Sequence, residues 1–344
     1  MLPVPFCPSR ISLVMIGAAL HYRQAVLIHN PAAGRLKGRG ARRLERAAAL
    51  LRGAGLDLSL AATTGPGTAG DLARRAIDNG ADLILVAGGD GTINEALPGV
   101  VHTGVPLAAL PAGTANVLAL EAGMGEDMVR AAAAFRDLVP MRVSVGRLHS
   151  SGRPPRYFLL MAGAGVDASM VHRVNTGLKN RFGKLAYWWS GVEQLASRFL
   201  EFEVRADGCT FRSSFALASR VRKYGGNFEI AQRVSLADHH FELVMFEGAG
   251  ALRYLKYVKG LFLGKLEGMK GTSVRDVTQV EFVPPAGVRI HVQVDGEYAG
   301  ELPARVEIVE RALTLLVPPR YAERGTDGSG NACADRVDAQ PRGR

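Results

Sequence analysis

The chemistry-bearing residues concentrate in Leu83–Glu95, LILVAGGDGTINE. Leu83 to Val86 form an apolar run too short for a helix, so they read as a buried strand. Gly88-Gly89-Asp90-Gly91-Thr92 follow as a loop, and a helical pattern resumes at Ile93. Glycines at three of the four positions 88–91 let main-chain N–H groups approach an anion without interference from Cβ. They also sit where the positive end of the next helix begins. Asp90 would repel a phosphate unless a cation or a ring of N–H groups stood between them, which points to Mg²⁺ with a nucleoside triphosphate. The same residues also suit a ligand-free strand-to-helix turn, so the loop needs partners to decide its role.

The surrounding elements supply candidates. Ala25–His29 reads as a strand leading into the loop Asn30-Pro31-Ala32-Ala33-Gly34, followed by a helix over Arg39–Leu51. Leu56–Ala62 is a strand, Thr63–Gly67 a loop and Thr68–Asn79 a helix closed by Gly80. After Leu83–Val86, the Gly-rich loop and a short helix come a strand over Val105–Leu110, the loop Pro111–Ala115 and a helix through Leu120. Strand, loop, helix in repetition implies a parallel sheet covered on both faces. In such sheets ligands bind beyond the carboxyl ends of the strands. The four loops, at 30–34, 63–67, 88–92 and 111–116, all fall there and share one cleft.

Beyond Val139-Pro140 the pattern becomes one of short strands at hairpin-like spacings. They are Arg142–His149, Tyr157–Met161, Glu201–Ala206, Phe211–Ser219, Phe241–Phe246, Val280–Val283, Val288–Val294, Arg305–Glu310 and Leu313–Val317. Helices over Lys184–Phe199 and Ala251–Phe262 interrupt them. The fold class is therefore α/β: an N-terminal parallel-sheet nucleotide domain over 23–140, then a mostly antiparallel β-sandwich over 141–320. Residues 1–22 form an uncertain arm. Its apolar run Ile11–Leu20 looks like a signal-peptide core, but export would remove the chain from ATP, and Met15 offers an alternative start. Residues 321–344 are polar and read as a disordered tail.

Composition narrows the function. The 344 residues are 47% hydrophobic and 22% charged, and no apolar run reaches the length of a membrane span. Cys7, Cys209 and Cys333 lack the paired spacing of zinc or disulfide sites, consistent with a reduced, cytoplasmic setting. A net charge of +10 and a pI near 9.8 favour an anionic partner. The basic residues do not interleave with aromatics on a nucleic-acid module, so no nucleic-acid partner is expected. Oligomeric state is not legible.

Taken together, the four loops resemble the diacylglycerol kinase catalytic-domain family, particularly its soluble bacterial lipid kinases. The specific signature is GGDGT at 88–92 followed at once by Ile93-Asn94-Glu95, and then Pro111-Ala112-Gly113-Thr114-Ala115-Asn116. GGDGT alone is shared with NAD kinases, but these carry their Asn-Glu pair well downstream and lack the second motif. The resemblance implies ATP and Mg²⁺ as cofactors and a lipid alcohol, diacylglycerol or a relative, as acceptor. It further implies that Asn30, Pro31 and Gly34 form the first nucleotide loop and that Thr64 belongs to the second. Gly88, Gly89, Asp90, Gly91, Thr92, Asn94 and Glu95 would wrap the phosphates, with Thr114 and Asn116 completing the cleft. No Walker lysine follows the glycines, so further positive charge must come from elsewhere.

In the second domain Asp295-Gly296-Glu297 matches the family's D-G-E, although Asp-Gly between two strands is also a hairpin signal. Phosphoryl transfer to an alcohol needs a carboxylate to take the hydroxyl proton. The resemblance gives that role to Glu297, with Asp295 orienting it or binding metal. It also aligns Ser235, Asp238 and His240 with ligands of a structural Mg²⁺. Zinc at His239-His240 is disfavoured because adjacent strand residues face opposite ways. Trp188-Trp189, near Lys179, Arg181 and Lys184, and the basic stretch Leu252–Lys265 are candidate anchors for peripheral membrane contact. Each equally suits an amphipathic helix packed on the sandwich. Two other functions stay open: an NAD kinase-like phosphotransferase, and a decayed nucleotide- or lipid-binding protein.

Overall fold

The computed structural model describes residues 22–36, 38, 40–165, 200–225, 228–248, 250–262 and 264–327. In the first unit strands and helices alternate: β1 (Gln24–His29), α1 (Gly40–Gly53), β2 (Asp57–Ala62), α2 (Thr68–Asp78), β3 (Leu83–Gly88), α3 (Asp90–Val100) and β4 (Leu107–Pro111). Short helices α4 (Val117–Glu121) and α5 (Met128–Ala133) follow. The strands run parallel in the order β2-β1-β3-β4. Strand β3 is buried along its whole length, which is why its sequence is apolar without alternation. Helices α1 and α5 cover one face, where Leu44, Ala47, Leu51 and Met128 pack on Leu27 and Leu85. On the other face Ala69, Ala73, Ile93 and Leu97 meet Ile84 and Val86. Helices α2 and α3 touch backbone to backbone there: a Cβ on Gly99 would collide with the Gly70 carbonyl.

The second unit contains β5 (Val139–Ser150), β6 (Arg156–Phe158), β7 (Met161–Gly165), β8 (Phe202–Ala206), β9 (Cys209–Ser213) and β10 (Phe215–Ser219). It continues with β11 (Lys223–Tyr224), β12 (Phe228–Glu229), β13 (Phe241–Phe246), β14 (Thr272–Val277), β15 (Gln279–Val283), β16 (His291–Val294), β17 (Glu297–Glu301) and β18 (Ala304–Val317). One sheet of the sandwich runs β14-β13-β10-β7-β16-β17, with every described pairing antiparallel. The other is the far half of the sheet that begins with β2. Phe158, Phe202, Phe241, Phe282, Val292 and Val306 fill the space between them.

Continuity between the units rests on β18. The expected pair of strands at 305–310 and 313–317 is one 14-residue strand. It pairs antiparallel with β5 and β15, and parallel with β4 at Leu315 and Leu107. Its register with β5 slips between Val309 and Leu313, where Arg311 takes a positive φ of 47°. That bulge lets one strand serve two differently twisted halves of a ten-stranded sheet.

Other boundaries also move. Helix α3 starts at Asp90 rather than Ile93. The strand expected over Tyr157–Met161 breaks at Leu159-Leu160, whose amides are drawn elsewhere. The expected tail is ordered at its start: a helix spans Pro319–Asp327, and Tyr321 is buried with its hydroxyl accepting from Leu236 N (3.1 Å). Periodicity missed this helix because a single aromatic anchors it. Helix Ala251–Phe262 is as expected, with Arg253, Lys256 and Lys259 outward and Tyr254 and Tyr257 inward. The helix expected over Lys184–Phe199, the Trp188-Trp189 anchor, the arm 1–21 and residues 328–344 lie outside the described residues. Among the described residues no helix is long and apolar enough to cross a membrane.

Truncation after Pro318 should lower stability by about 2 kcal/mol, the value of burying one large side chain, as read from urea midpoints.

Candidate active site

At the carboxyl edge of the parallel strands the loops hold one another. Strand order reverses between β1 and β3, which opens a crevice there. Across it the Asn30 amide donates to Ala87 O (3.2 Å) and Asn30 Nδ2 to Thr92 Oγ1 (3.4 Å). Arg35 N donates to Ala112 O (3.1 Å), and Ala112 N to Gly88 O (2.9 Å). Gly34 stands beside Thr114, whose Oγ1 would lie 3.5 Å from a Cβ added there. Gly89 and Gly113 meet backbone to backbone, and a Cβ on Gly113 would collide with Gly89 Cα. Asn116, 2% exposed with φ of 50°, clamps its own loop through Gly113 N (2.8 Å) and Gly113 O (3.0 Å). Gly89 caps α3 in an extended conformation with no side-chain cap of its own, while the first amide of the helix, that of Asp90, meets its own carboxylate.

Two predicted phosphate-loop carboxylates make hydrogen bonds within the protein. Asp90 accepts from Val117 N (2.9 Å) and Leu118 N (3.1 Å), fastening the loop at 88–92 to the start of α4. Burial pushes its carboxyl upward against the pull of those amides. This capping role stands beside the phosphate-loop role expected for Asp90, since the amides on its two oxygens leave further acceptor capacity. Glu95 accepts from the amides of Gly67 and Ala69 at the start of α2; burial raises its carboxyl, as does the charge of Glu297, while Arg156 opposes them. Thr64 and Pro31 are exposed on their loops.

The β domain contributes the other wall. Asp295 and Gly296 both have positive φ, so the hairpin signal was correct. The turn also aims the Asp295 carboxylate inward, where it accepts from Leu159 N (3.0 Å), Leu160 N (3.0 Å), Met161 N (2.9 Å) and Asn94 Nδ2 (2.8 Å). Those four bonds engage both oxygens and fix the orientation of the carboxylate. Burial raises its carboxyl to about 6 against these donors, so it is ionised at neutral pH. Asn94 is 3% exposed and binds no open space. Its Oδ1 accepts from Arg156 Nε (3.1 Å) and Nη2 (2.7 Å). Arg156 Nη2 in turn pairs with Glu297 Oε2 at 2.5 Å. Glu297 Oε1 lies against Gly91, so that a Cβ there would strike it. The structure thus brings Glu297 to the mouth of the glycine loop.

Arg156 was not singled out by the sequence, although the missing lysine called for a cation. One arginine before a strand is too common a feature to stand out.

Ser235, Asp238 and His240 form a separate turn. Asp238 Oδ2 accepts from Ser235 N (2.7 Å), and His240 Nε2 faces Asp276 Oδ1 at 4.0 Å. Among the described residues no group of three His, Cys, Asp or Glu side chains is arranged to hold a metal.

Asp295→Ala should cost about 3 kcal/mol or more in urea denaturation, because four donors lose their acceptor. Thr64→Ala should stay within about 0.5 kcal/mol. Since the folded Asp295 carboxyl titrates above its unfolded value, stability falls as pH rises from about 4 to 6. Asp295→Asn should flatten that slope.

Comparison with known proteins agrees with this fold. Residues 24–148 match the family described as diacylglycerol kinase catalytic domain. Residues 161–317 match the YegS C-terminal NAD kinase beta sandwich-like domain. A diacylglycerol kinase of Bacillus subtilis is 29% identical over 319 residues, covering 89% of this chain and 100% of the relative. One from Mycobacterium tuberculosis is 28% identical, covering 71% of this chain and 79% of its own length. The crystal structure of a diacylglycerol kinase from Bacillus anthracis superposes with a TM-score of 0.71 at 22% identity, over 87% of this chain and 99% of the other, which supports the fold. With its parallel α/β unit and antiparallel sandwich matched in succession, the chain belongs to the diacylglycerol kinase catalytic domain family.

Proposed function

We propose that the chain is an ATP-dependent lipid kinase, transferring the γ-phosphoryl group to a hydroxyl of diacylglycerol or a related lipid. The observation that carries this reading is the Glu297 carboxylate, held by Arg156 against Gly91 at the start of α3. A phosphate seated on the first-turn amides of α3 would then have a proton acceptor beside it, where an alcohol must enter.

In this reading Gly88, Gly89, Gly91, Thr92 and Thr114 receive the triphosphate, with Asn30, Pro31, Gly34 and Thr64 along the nucleotide side. Glu297 accepts the hydroxyl proton as the alcohol oxygen attacks the γ-phosphorus. The bond to the β–γ bridging oxygen breaks, and ADP leaves. Arg156 orients Glu297 and adds positive charge at the cleft. Asp90, Asn94, Glu95, Asn116 and Asp295 act by positioning, as their hydrogen bonds are spent within the protein. Mg²⁺ carried by the triphosphate supplies charge neutralisation when bound. With Asp90 and Asp295 engaged, Glu297 is the carboxylate nearest the loop that could contact it. The acceptor's apolar chains require a visit to a membrane surface, which the basic net charge favours when the lipids are anionic. ATP as donor implies a cytoplasmic setting.

Purified protein with radiolabelled ATP and diacylglycerol in mixed micelles should form labelled phosphatidic acid. Glu297→Gln should reduce kcat about 10²–10⁴-fold with the melting temperature unchanged. Undiminished turnover by that variant would remove Glu297 from the mechanism. Robust NADP formation from NAD would instead favour the NAD kinase-like alternative, and no transfer to any lipid of a broad panel would favour a decayed site.

A further inference from the structure

Helix α1 begins against the usual electrostatics of a helix. Its first turn holds no acidic residue and carries Arg42 and Arg43 at the positive end of the backbone dipole, with Arg46 one turn on. Such placement weakens a helix, so the formation of α1 gives no reason for it. All three arginines are exposed, as is Arg130 on the neighbouring α5. With Asp127 and Val129 they line a recess of about 450 Å³ between the two helices.

Four guanidinium groups there face one carboxylate, and that carboxylate is committed. Asp127 Oδ1 accepts from Val129 N (2.8 Å) and Arg130 N (3.1 Å) as the cap of α5, while Oδ2 pairs with Arg43 Nη2 (2.7 Å). The Arg130 amide above all holds the Asp127 carboxyl below its usual range, so its charge is present at neutral pH. Glu126 beside it turns to Arg35 (2.6 Å), and Glu45 of α1 does not line the recess. Among the described residues no side-chain partner holds Arg42, Arg46 or Arg130. Three of the four positive charges are therefore unanswered.

A phosphomonoester answers them. It carries close to two negative charges at neutral pH and three terminal oxygens, each able to accept from the planar fork of an arginine. The recess is separate from the cleft, since α1 and α5 cover the sheet face opposite α3. None of the loop residues at 30–34, 88–92 or 111–116 lines it, and neither does Glu297.

We propose that this recess binds a phosphomonoester, and that the phosphate is the headgroup of an anionic lipid at a membrane surface. The lipid source rests on the lipid kinase reading above, whose acceptor lies in a membrane and whose product bears such a headgroup. The recess itself does not rest on it.

The test is co-sedimentation of the full-length protein, without nucleotide, with phosphatidylcholine vesicles holding either phosphatidic acid or phosphatidylglycerol at matched surface charge. Binding to phosphatidic acid should be at least about tenfold tighter. The triple variant Arg42→Gln/Arg46→Gln/Arg130→Gln should lose that preference, with a melting temperature no lower than that of the wild type. Lys256→Gln/Lys259→Gln, which removes two exposed charges from the helix over 251–262, should keep it. Calorimetry with glycerol 3-phosphate separates the sources. Binding there that the triple variant loses, with no binding to phosphatidic acid vesicles, would keep the phosphomonoester site and overturn the lipid headgroup. Equal binding of both vesicle types by the wild type, or an unaltered preference in the triple variant, would overturn the proposal whole. No phosphoryl transfer is read, so a chain that phosphorylates no lipid can pass this test and an active kinase can fail it.

Discussion

The Asp295 carboxylate is buried where its charge must be answered by donors from both halves of the molecule. Three successive amides at Leu159, Leu160 and Met161 come from the β domain, and the Asn94 side chain comes from α3. An ionised carboxylate in such a place is costly unless all its acceptor sites are filled. Filling them ties the hairpin that carries Glu297 to the helix that begins at the glycine loop. The distance between Glu297 and the glycine loop is thus set by a hydrogen-bond requirement, and not by the length of a flexible linker.

The same logic recurs around the cleft. Asp90 is spent on α4, Glu95 on α2 and Asn116 on its own loop. Each ties a short segment whose backbone groups would otherwise need solvent. These polar side chains help keep the glycine backbones in place. This leaves Glu297 and Arg156 as the charged pair at the mouth, each only about a third exposed. Glu121 extends the principle away from the site. It lies at the end of α4, is buried, and accepts from Arg222 N (3.0 Å) and Lys223 N (3.3 Å) of the β domain.

Beneath these polar ties lies a shared sheet. Because β18 pairs with β4, β5 and β15, hydrophobic packing runs without interruption from Ile84 and Leu97 to Leu217 and Phe246. A rotation of one unit against the other would have to shear that strand. The guanidinium of Arg220 adds a second internal charge, sharing with Asp295 the backbone of Leu160 between them.

The chain's local patterns were sufficient for the alternation of strand and helix over 24–121, for the glycine-rich junction of β3 and α3, for the loops at 30–34 and 111–116, and for the hairpin at 295–296. Those features depend on glycine placement, apolar runs and short-range turn chemistry, all written within a few residues. Motif spacing was also enough to place the chain in its family. What the sequence left undecided are relations between distant residues. That Asn94 meets Asp295 and Arg156, that Asp90 caps α4, that β18 is one bulged strand and that Tyr321 anchors a terminal helix follow from packing across separations of 27 to 201 positions. A side chain's type tells what bonds it can make. Only the fold decides which partner, among many equally suited in one dimension, arrives within 3 Å of it.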